Sequence, residues 1–225
     1  MEMPTLYIVP VPIGDYDDIT LRALTVLKST DLIICEETKP ARKLLAHYGI
    51  DKPLFPMNEH NEREASEEIL QNFQQYKSIA LISDCGTPLF SDPGKTLVEQ
   101  CIGMGIKVVS LPGANSLTPA LAASGLPADR FYFYGWLSPK KDIRKQELYH
   151  LRKMKTVLVF LDTPYRLTRL LEDTAAMLGE QLPAVLAYQI SLEGECFYRD
   201  SLRRLLKTAQ SKQLKGEFVL MVDNR

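Results

Sequence analysis

Three segments of the sequence place glycine, proline and small polar residues directly after short apolar runs. They read PVPIGD (10–15), DCGTPLFSDPG (84–94) and PGANS (112–116). Glycine allows close approach to the backbone and proline fixes a loop, so such segments can present amides and carbonyls to a ligand. Glycine and proline also mark ordinary turns. Three such loops along one chain nevertheless predict a ligand-binding rim.

Polar side chains in these loops are candidates for direct ligand contact. Asp84 opens the longest loop and could bind a polar ligand group, or it could initiate a turn by bonding its own backbone. Asn115 and Ser116 could offer polar atoms to a ligand, and they could also cap a helix that begins near Leu117.

Acid–base chemistry has candidates in two further polar segments. Glu36, Glu37 and Lys39 follow an apolar run, and Glu59 and His60 lie in the sequence NEHNE (58–62). Carboxylates and histidine are common proton carriers, and histidine titrates near neutrality. Each segment can equally be an exposed helix start, where acidic residues favour the helix dipole. The catalytic base therefore stays unassigned among these residues.

Familiar phosphate and metal motifs do not fit. The stretch from Gly86 to Gly94-Lys95-Thr96 has a longer gap between its glycines than a P-loop allows, and no GxGxxG follows the first apolar run. Three scattered histidines and four widely spaced cysteines without a CxxC pair predict no metal site and no disulfide framework.

Basic residues are concentrated between positions 140 and 155. The candidates for contact with RNA phosphates are Lys140, Lys141 and Arg144, and Lys145, Arg152, Lys153 and Lys155 follow. The net charge of −1 argues against a whole molecule shaped for nucleic acid, although a local basic face can suffice. A solvated helix face is the alternative explanation.

These residues are held by alternating apolar and amphipathic segments, which predict an α/β fold of two domains, 1–113 and 114–225. In the first domain, strands at 6–11, 31–35, 78–83 and 107–111 alternate with helices at 20–29, 40–48, 62–76 and 93–104. In the second, strands at 131–136, 156–161, 184–188, 195–199 and 216–222 accompany helices at 140–153 and 166–178. The first sheet is predicted to be parallel and the second mixed.

Composition predicts a soluble protein. Hydrophobic residues make up 45% and charged residues 24%. The N-terminal segment has no basic region followed by a long apolar stretch, so we expect a cytoplasmic protein without a membrane anchor.

The motifs VPVPIG (9–14), SDCGTPLFSDPG (83–94) and PGANSLTPALAASGLPADRF (112–131) resemble the tetrapyrrole methylase superfamily. The segments DITLRAL, ARKLLAHYGI, NEHNE and KGEFVL extend the likeness over nearly the whole chain and favour the superfamily's ribosomal branch. Members of that branch methylate a cytidine 2′-hydroxyl of small-subunit (16S) rRNA.

The resemblance implies a homodimer that binds S-adenosylmethionine in a cleft between two α/β domains and yields S-adenosylhomocysteine. The cofactor contacts that it implies are Pro12, Gly14, Asp84, Gly86, Thr87, Pro88, Asn115, Ser116 and Leu161.

The sequence departs from the ribosomal branch on the acceptor side. EETK (36–39) stands where the branch has EDTR, and DTPYR (162–166) stands where it has an ESPHR-like stretch. We predict Lys39 and Arg166 as substrate contacts at these positions. The chain also ends soon after its last predicted strand, before the branch's usual extension. Two alternatives therefore stay open: methylation of a tetrapyrrole or other small molecule, and a non-catalytic protein that binds the cofactor.

Overall fold

A computed structural model describes residues 3–90 and 92–225 of the chain. Met1 and Glu2 of the N-terminal segment and Ser91 of the long loop lie outside the described residues. The chain divides into two compact units, Met1–Asn115 and Ser116–Arg225.

The first unit is built on a parallel sheet of five strands in the order β3-β2-β4-β1-β5. Its three inner strands are short and almost wholly buried, as expected of strands covered on both faces. The bounds are β1 Thr5–Ile8, β2 Leu32–Cys35, β3 Leu54–Pro56, β4 Ser78–Leu81 and β5 Lys107–Ser110.

Helices cover both faces of this sheet. Helices α1 (Leu21–Ser29) and α2 (Thr38–His47) bury Leu27 and Leu44 in the core of one face. Helices α3 (Glu62–Asn72) and α4 (Lys95–Gly103) bury Ile69 and Leu97 in the core of the other. The Thr20 hydroxyl caps α1 by accepting a hydrogen bond of 3.0 Å from the Ala23 amide.

The second unit has a mixed sheet in the order β6-β7-β10-β8-β9. Strands β6 and β7 are parallel and the remaining neighbours are antiparallel, so the sheet is mixed, as predicted. The bounds are β6 Phe131–Trp136, β7 Val157–Asp162, β8 Pro183–Tyr188, β9 Cys196–Ser201 and β10 Phe218–Asp223.

Four helices pack on this second sheet. Helix α5 (Leu117–Ser124) buries Ala120 and Leu121 against one face. Helices α6 (Lys141–Leu151), α7 (Leu167–Leu178) and α8 (Leu202–Ser211) cover the other face.

The predicted fold class, with two α/β units, is confirmed. The predictions omitted β3 and α8. No helix within the described part of the chain is long and apolar enough to cross a membrane.

Candidate active site

Strand β4 ends at the point where the first sheet reverses its winding. It lies between β2 and β1 in the sheet. After β1 and β2 the chain continues into α1 and α2, which cover one face of the sheet. After β4 it continues into α4, which covers the other face. Connections that diverge from neighbouring parallel strands open a crevice at the carboxyl ends of the strands, where ligands bind in open α/β sheets. The loop that begins near Asp84 therefore stands at the expected ligand position.

The three glycine- and proline-rich loops are joined by hydrogen bonds at this edge. The Val11 amide donates to the Gly86 carbonyl at 2.9 Å, which ties the loop after β1 to the loop after β4. The Thr87 hydroxyl donates to the Ala114 carbonyl at 2.9 Å, which ties the loop after β4 to the loop after β5. The predicted rim is therefore one connected structure.

Two glycines permit this close approach. Gly86 has φ +79°, and a β-carbon there would lie 3.1 Å from the Ile13 side chain. A β-carbon at Gly113 would lie 2.5 Å from the β-carbon of Pro10, so the loops after β1 and β5 could not meet with a larger residue.

Other predicted cofactor residues occupy the same loops. Pro12 and Pro88 are buried, whereas Gly14 is half-buried. The Asn115 amide group donates to the Gly113 carbonyl at 3.3 Å. Ser116 occupies the N-cap position of α5, in the second unit, and its side chain makes no capping hydrogen bond.

Carboxylates from separate loops gather around the end of β4. Asp84 Oδ1 accepts a hydrogen bond of 3.3 Å from the Glu37 amide. Burial raises the pKa of the half-buried Glu36 carboxyl, and the neighbouring charges of Asp84, Asp92, Glu37 and Glu59 raise it further. Glu36 is thus the half-buried acid–base candidate of the cluster, whereas the Glu37 side chain is exposed.

Asp92 is a member of this cluster that the sequence analysis missed. Its side chain is half-buried, and its pKa is raised by burial and by the charge of Asp84. Burial likewise raises the pKa of Asp84, and the charge of Glu37 adds to the effect. The position of Asp92 in the same glycine- and proline-rich loop as Asp84 was the sequence feature that could have identified it.

The remaining candidates of the first unit point to solvent. Glu59 Oε1 and His60 Nε2 lie 3.6 Å apart, and the two side chains are 78% and 85% exposed. Lys39 is exposed in the first turn of α2. These three side chains are available for contact with a large substrate, but none has the environment of a buried proton carrier.

The structure contradicts the prediction that Arg144 contacts substrate. Its side chain is 1% exposed and bonds Asp173 through Nε at 2.8 Å and Nη2 at 2.6 Å. Its Nη1 donates to the carbonyls of Ser138 and Pro139. Four of the five guanidinium N–H groups are thus bonded inside the fold, and a side chain that is 1% exposed is shielded from an RNA phosphate.

Arg166 is also committed to internal contacts. Its Nη2 donates to the carbonyls of Leu137 and Ser138, at 3.0 and 3.2 Å, and its Nε lies 3.2 Å from Asp162 Oδ1. We therefore assign Arg166 to support of these loops, which corrects the predicted direct substrate contact. Lys140 and Lys141, in contrast, are exposed.

The end of β7 carries polar atoms without partners. Leu161 is half-buried, and the next two residues place Asp162 Oδ2 and Thr163 Oγ1 in buried positions without a hydrogen-bond partner among the described residues. Burial raises the pKa of Asp162. Buried polar atoms are normally satisfied, so these two are suited to a polar ligand group or a water.

Comparison with known proteins identifies the family. The profile of the Tetrapyrrole (Corrin/Porphyrin) Methylases matches residues 5–206. The chain belongs to the tetrapyrrole methylase family. The protein is therefore an S-adenosylmethionine-dependent methyltransferase, as predicted.

Named relatives of this tetrapyrrole methylase include ribosomal RNA small subunit methyltransferase I from two bacteria. The Haemophilus influenzae protein is 42% identical over 222 residues, which cover 98% of this chain and 78% of that protein. The Bacillus subtilis protein is 39% identical over 222 residues, which cover 99% and 76%.

Solved structures show the same fold at low sequence identity. A cobalt precorrin-4 methyltransferase from cobalamin biosynthesis has a TM-score of 0.72 and 16% identity, with coverage of 97% of this chain and 94% of that chain. A diphthine synthase has a TM-score of 0.74 and 16% identity, with coverage of 97% and 88%.

Proposed function

We propose that this methyltransferase transfers a methyl group from S-adenosylmethionine to the RNA of the small ribosomal subunit, at a cytidine 2′-hydroxyl. The observation that carries the proposal is the identity of about 40% with ribosomal RNA small subunit methyltransferases I over 97% or more of this chain. The exposed polar side chains beside the crevice support it, because an apolar macrocycle would favour a broader apolar pocket.

The residues present fit the cofactor. The connected rim offers backbone groups of Pro12, Gly86 and Thr87, and Gly86, which has no side chain, lets this loop lie close to Ile13. We assign Pro12, Gly14, Asp84, Gly86, Thr87, Pro88 and Asn115 from the first unit, and Ser116 and Leu161 from the second, to cofactor binding. The unpartnered Asp162 Oδ2 and Thr163 Oγ1 next to Leu161 support the second set.

The carboxylates at the end of β4 suit a methyl donor with a positive charge. When bound, S-adenosylmethionine supplies an electrophilic methyl group on a positively charged sulfur. Both Asp84 and Asp92 offer negative charge to a positively charged group near the rim, and the half-buried position of Asp92 strengthens its electrostatic interaction.

Glu36 is our candidate for the proton acceptor. The transfer forms an oxygen–methyl bond, breaks a sulfur–methyl bond and releases the hydroxyl proton, which requires a base. Burial and the surrounding carboxylates raise the pKa of Glu36, and a base with a raised pKa accepts a proton more readily. The exposed Lys39, Lys140 and Lys141 are assigned to RNA contact. We also propose that the protein is a cytoplasmic homodimer. Analytical ultracentrifugation would measure the dimer, and fractionation of cells would test the location.

The test is transfer of labelled methyl from S-adenosylmethionine to purified small ribosomal subunits that lack this modification. We expect label in the rRNA with the wild-type protein. Gly86→Arg should abolish transfer, because the new side chain would enter the contact with Ile13. Gly105→Arg is the matched control, since Gly105 also has a positive φ, of +72°, but has open space around a β-carbon.

The outcomes separate the alternatives. Label in rRNA that is lost in Gly86→Arg and retained in Gly105→Arg supports the proposal. Label in a porphyrinoid acceptor but not in rRNA would reassign the substrate to a small molecule. Binding of S-adenosylhomocysteine without transfer to either acceptor would indicate a non-catalytic role.

A further inference from the structure

Two exposed aromatic side chains lie where β6 and β7 end. Trp136 closes β6 and is 46% exposed, and Tyr165 follows β7 and is 83% exposed. The two strands are parallel, with Trp136 paired to Leu161, so the loops that leave them emerge at the same edge of the second sheet. Single exposed aromatic residues are ordinary on a protein surface, but these two lie on neighbouring loops at one edge of the sheet.

The two loops are fixed to each other by arginine side chains. Arg166, directly after Tyr165, donates to the carbonyls of Leu137 and Ser138, which directly follow Trp136. The buried Arg144 also donates to the Ser138 carbonyl, at 2.9 Å. Both aromatic residues are therefore presented on ordered backbone, which reduces the entropy lost when a ligand binds.

Positive charge is added to this edge by two lysines. Lys140 and Lys141 are exposed at the start of α6, four and five residues after Trp136. Arg152, Lys153 and Lys155 of the same run lie elsewhere, because α6 leads the chain back to the start of β7. Asn224, after β10, bonds the carbonyls of Leu151 and Arg152 at that opposite edge. The predicted basic run is thus two separate groups.

We propose that Trp136, Lys140, Lys141 and Tyr165, which we call the aromatic–basic edge, bind unpaired nucleotides of the RNA substrate. The aromatic rings stack on bases and the ammonium groups contact the adjoining phosphates. Stacking requires bases with free faces, which single strands offer and duplexes do not. The proposal rests on the proposed rRNA function and deepens it by assigning a substrate contact surface.

The experiment uses the full chain and a single-stranded fragment of unmodified small-subunit rRNA, with the same fragment annealed to its complement as a second probe. Trp136 is the only tryptophan of the chain, so its fluorescence reports directly on this surface. We expect the single strand to quench this fluorescence and the duplex to have little effect. Tyr165→Ala should weaken binding of the single strand by about 5-fold to 100-fold, and Tyr165→Phe should retain it.

Tyr149→Ala is the matched control. Tyr149 is 53% exposed and has the Lys153 ammonium over its ring, but it lies toward the opposite end of α6. This variant should bind RNA as the wild type does. Lys140→Glu combined with Lys141→Glu should lower the slope of log affinity against log salt by about 0.7 for each lost phosphate contact. All variants should keep the wild-type affinity for S-adenosylhomocysteine.

Several outcomes would overturn the assignment. Equal RNA affinity of Tyr165→Ala and the wild type, or equal losses in Tyr165→Ala and Tyr149→Ala, would refute it. A change of oligomeric state in Tyr165→Ala with unchanged RNA affinity would make this edge a contact between copies of the chain. If these variants methylate small ribosomal subunits with an unchanged KM, the aromatic–basic edge is not the RNA contact, and the proposed rRNA function stands. If the wild type methylates no RNA, the proposed function fails as well.

Discussion

Replacing Arg144 by methionine distinguishes a guanidinium that supports the fold from one that binds RNA. The side chain is 1% exposed and its partner Asp173 is 10% exposed. The substitution leaves the Asp173 carboxylate without its cation and removes the Arg144 donor from the Pro139 and Ser138 carbonyls, of which Ser138 keeps its hydrogen bond from Arg166. Breaking one side of a buried ion pair costs about 3–5 kcal/mol, which is a large share of the stability of a domain of this size.

Urea unfolding followed by Trp136 fluorescence measures this cost, because the only tryptophan lies in the same unit as the ion pair. For an m-value of about 2 kcal/mol/M, a loss of about 4 kcal/mol lowers the unfolding midpoint by about 2 M. The double variant Arg144→Met/Asp173→Leu should recover a large part of the loss, since neither partner then leaves a buried charge.

Lys145→Met is the neighbouring control and should change the free energy of unfolding by no more than about 0.5 kcal/mol, because Lys145 is only half-buried and is absent from the network around Arg144. The reasoning is refuted if Arg144→Met unfolds within about 1 kcal/mol of the wild type. A simultaneous fall of about 0.7 in the salt slope of RNA binding would restore Arg144 as a phosphate contact.

Three further predictions concern the first unit and the reporter tryptophan. Gly86→Ala should weaken S-adenosylhomocysteine binding in calorimetry and Gly105→Ala should not, because both have positive φ but only Gly86 meets a neighbouring loop. Asp92→Asn should raise the free energy of unfolding at pH 7, measured by circular dichroism. The pKa of Asp92 is raised, so its ionised form destabilises the fold above that pKa, and the gain should shrink as the pH falls toward 4. Trp136 fluorescence should change when S-adenosylhomocysteine binds, since Trp136 is paired with Leu161; an unchanged spectrum at saturation would count against Leu161 as a cofactor contact.

Much of the architecture could be predicted because buried parallel strands leave a local signature. The apolar runs at 31–35 and 78–83 correspond to β2 and β4, displaced by at most two residues at an end. Strand β3 has three residues, ends in Pro56 and is only partly buried, so it lacks that signature. Helix α8 presents a basic outer face and buries Leu202 and Leu205, an amphipathic pattern that the sequence itself carries.

The candidate site could likewise be predicted only in part from the sequence. The glycine- and proline-rich loops could be recognised one at a time, because each follows its own strand. The carboxylate cluster could not, since Glu36 and Asp92 meet only because β4 lies beside β2 in the sheet. Arg144 was misassigned for a similar reason: its partner Asp173 lies 29 residues away, on another helix. Local sequence shows the charge of a residue but not whether a distant partner will bury it.

The strand order also constrains how the nascent chain folds. Strand β4 inserts between β1 and β2, which are synthesised earlier, and β10 inserts between β7 and β8 in the same way. Until the inserting strand arrives, both of its neighbours expose unpaired backbone groups and apolar side chains, which invite wrong pairing. We therefore expect each sheet to form in a slow, late step that depends on distant contacts. Chaperone demand during synthesis should consequently be highest while β1 and β2 await β4 and while β7 and β8 await β10.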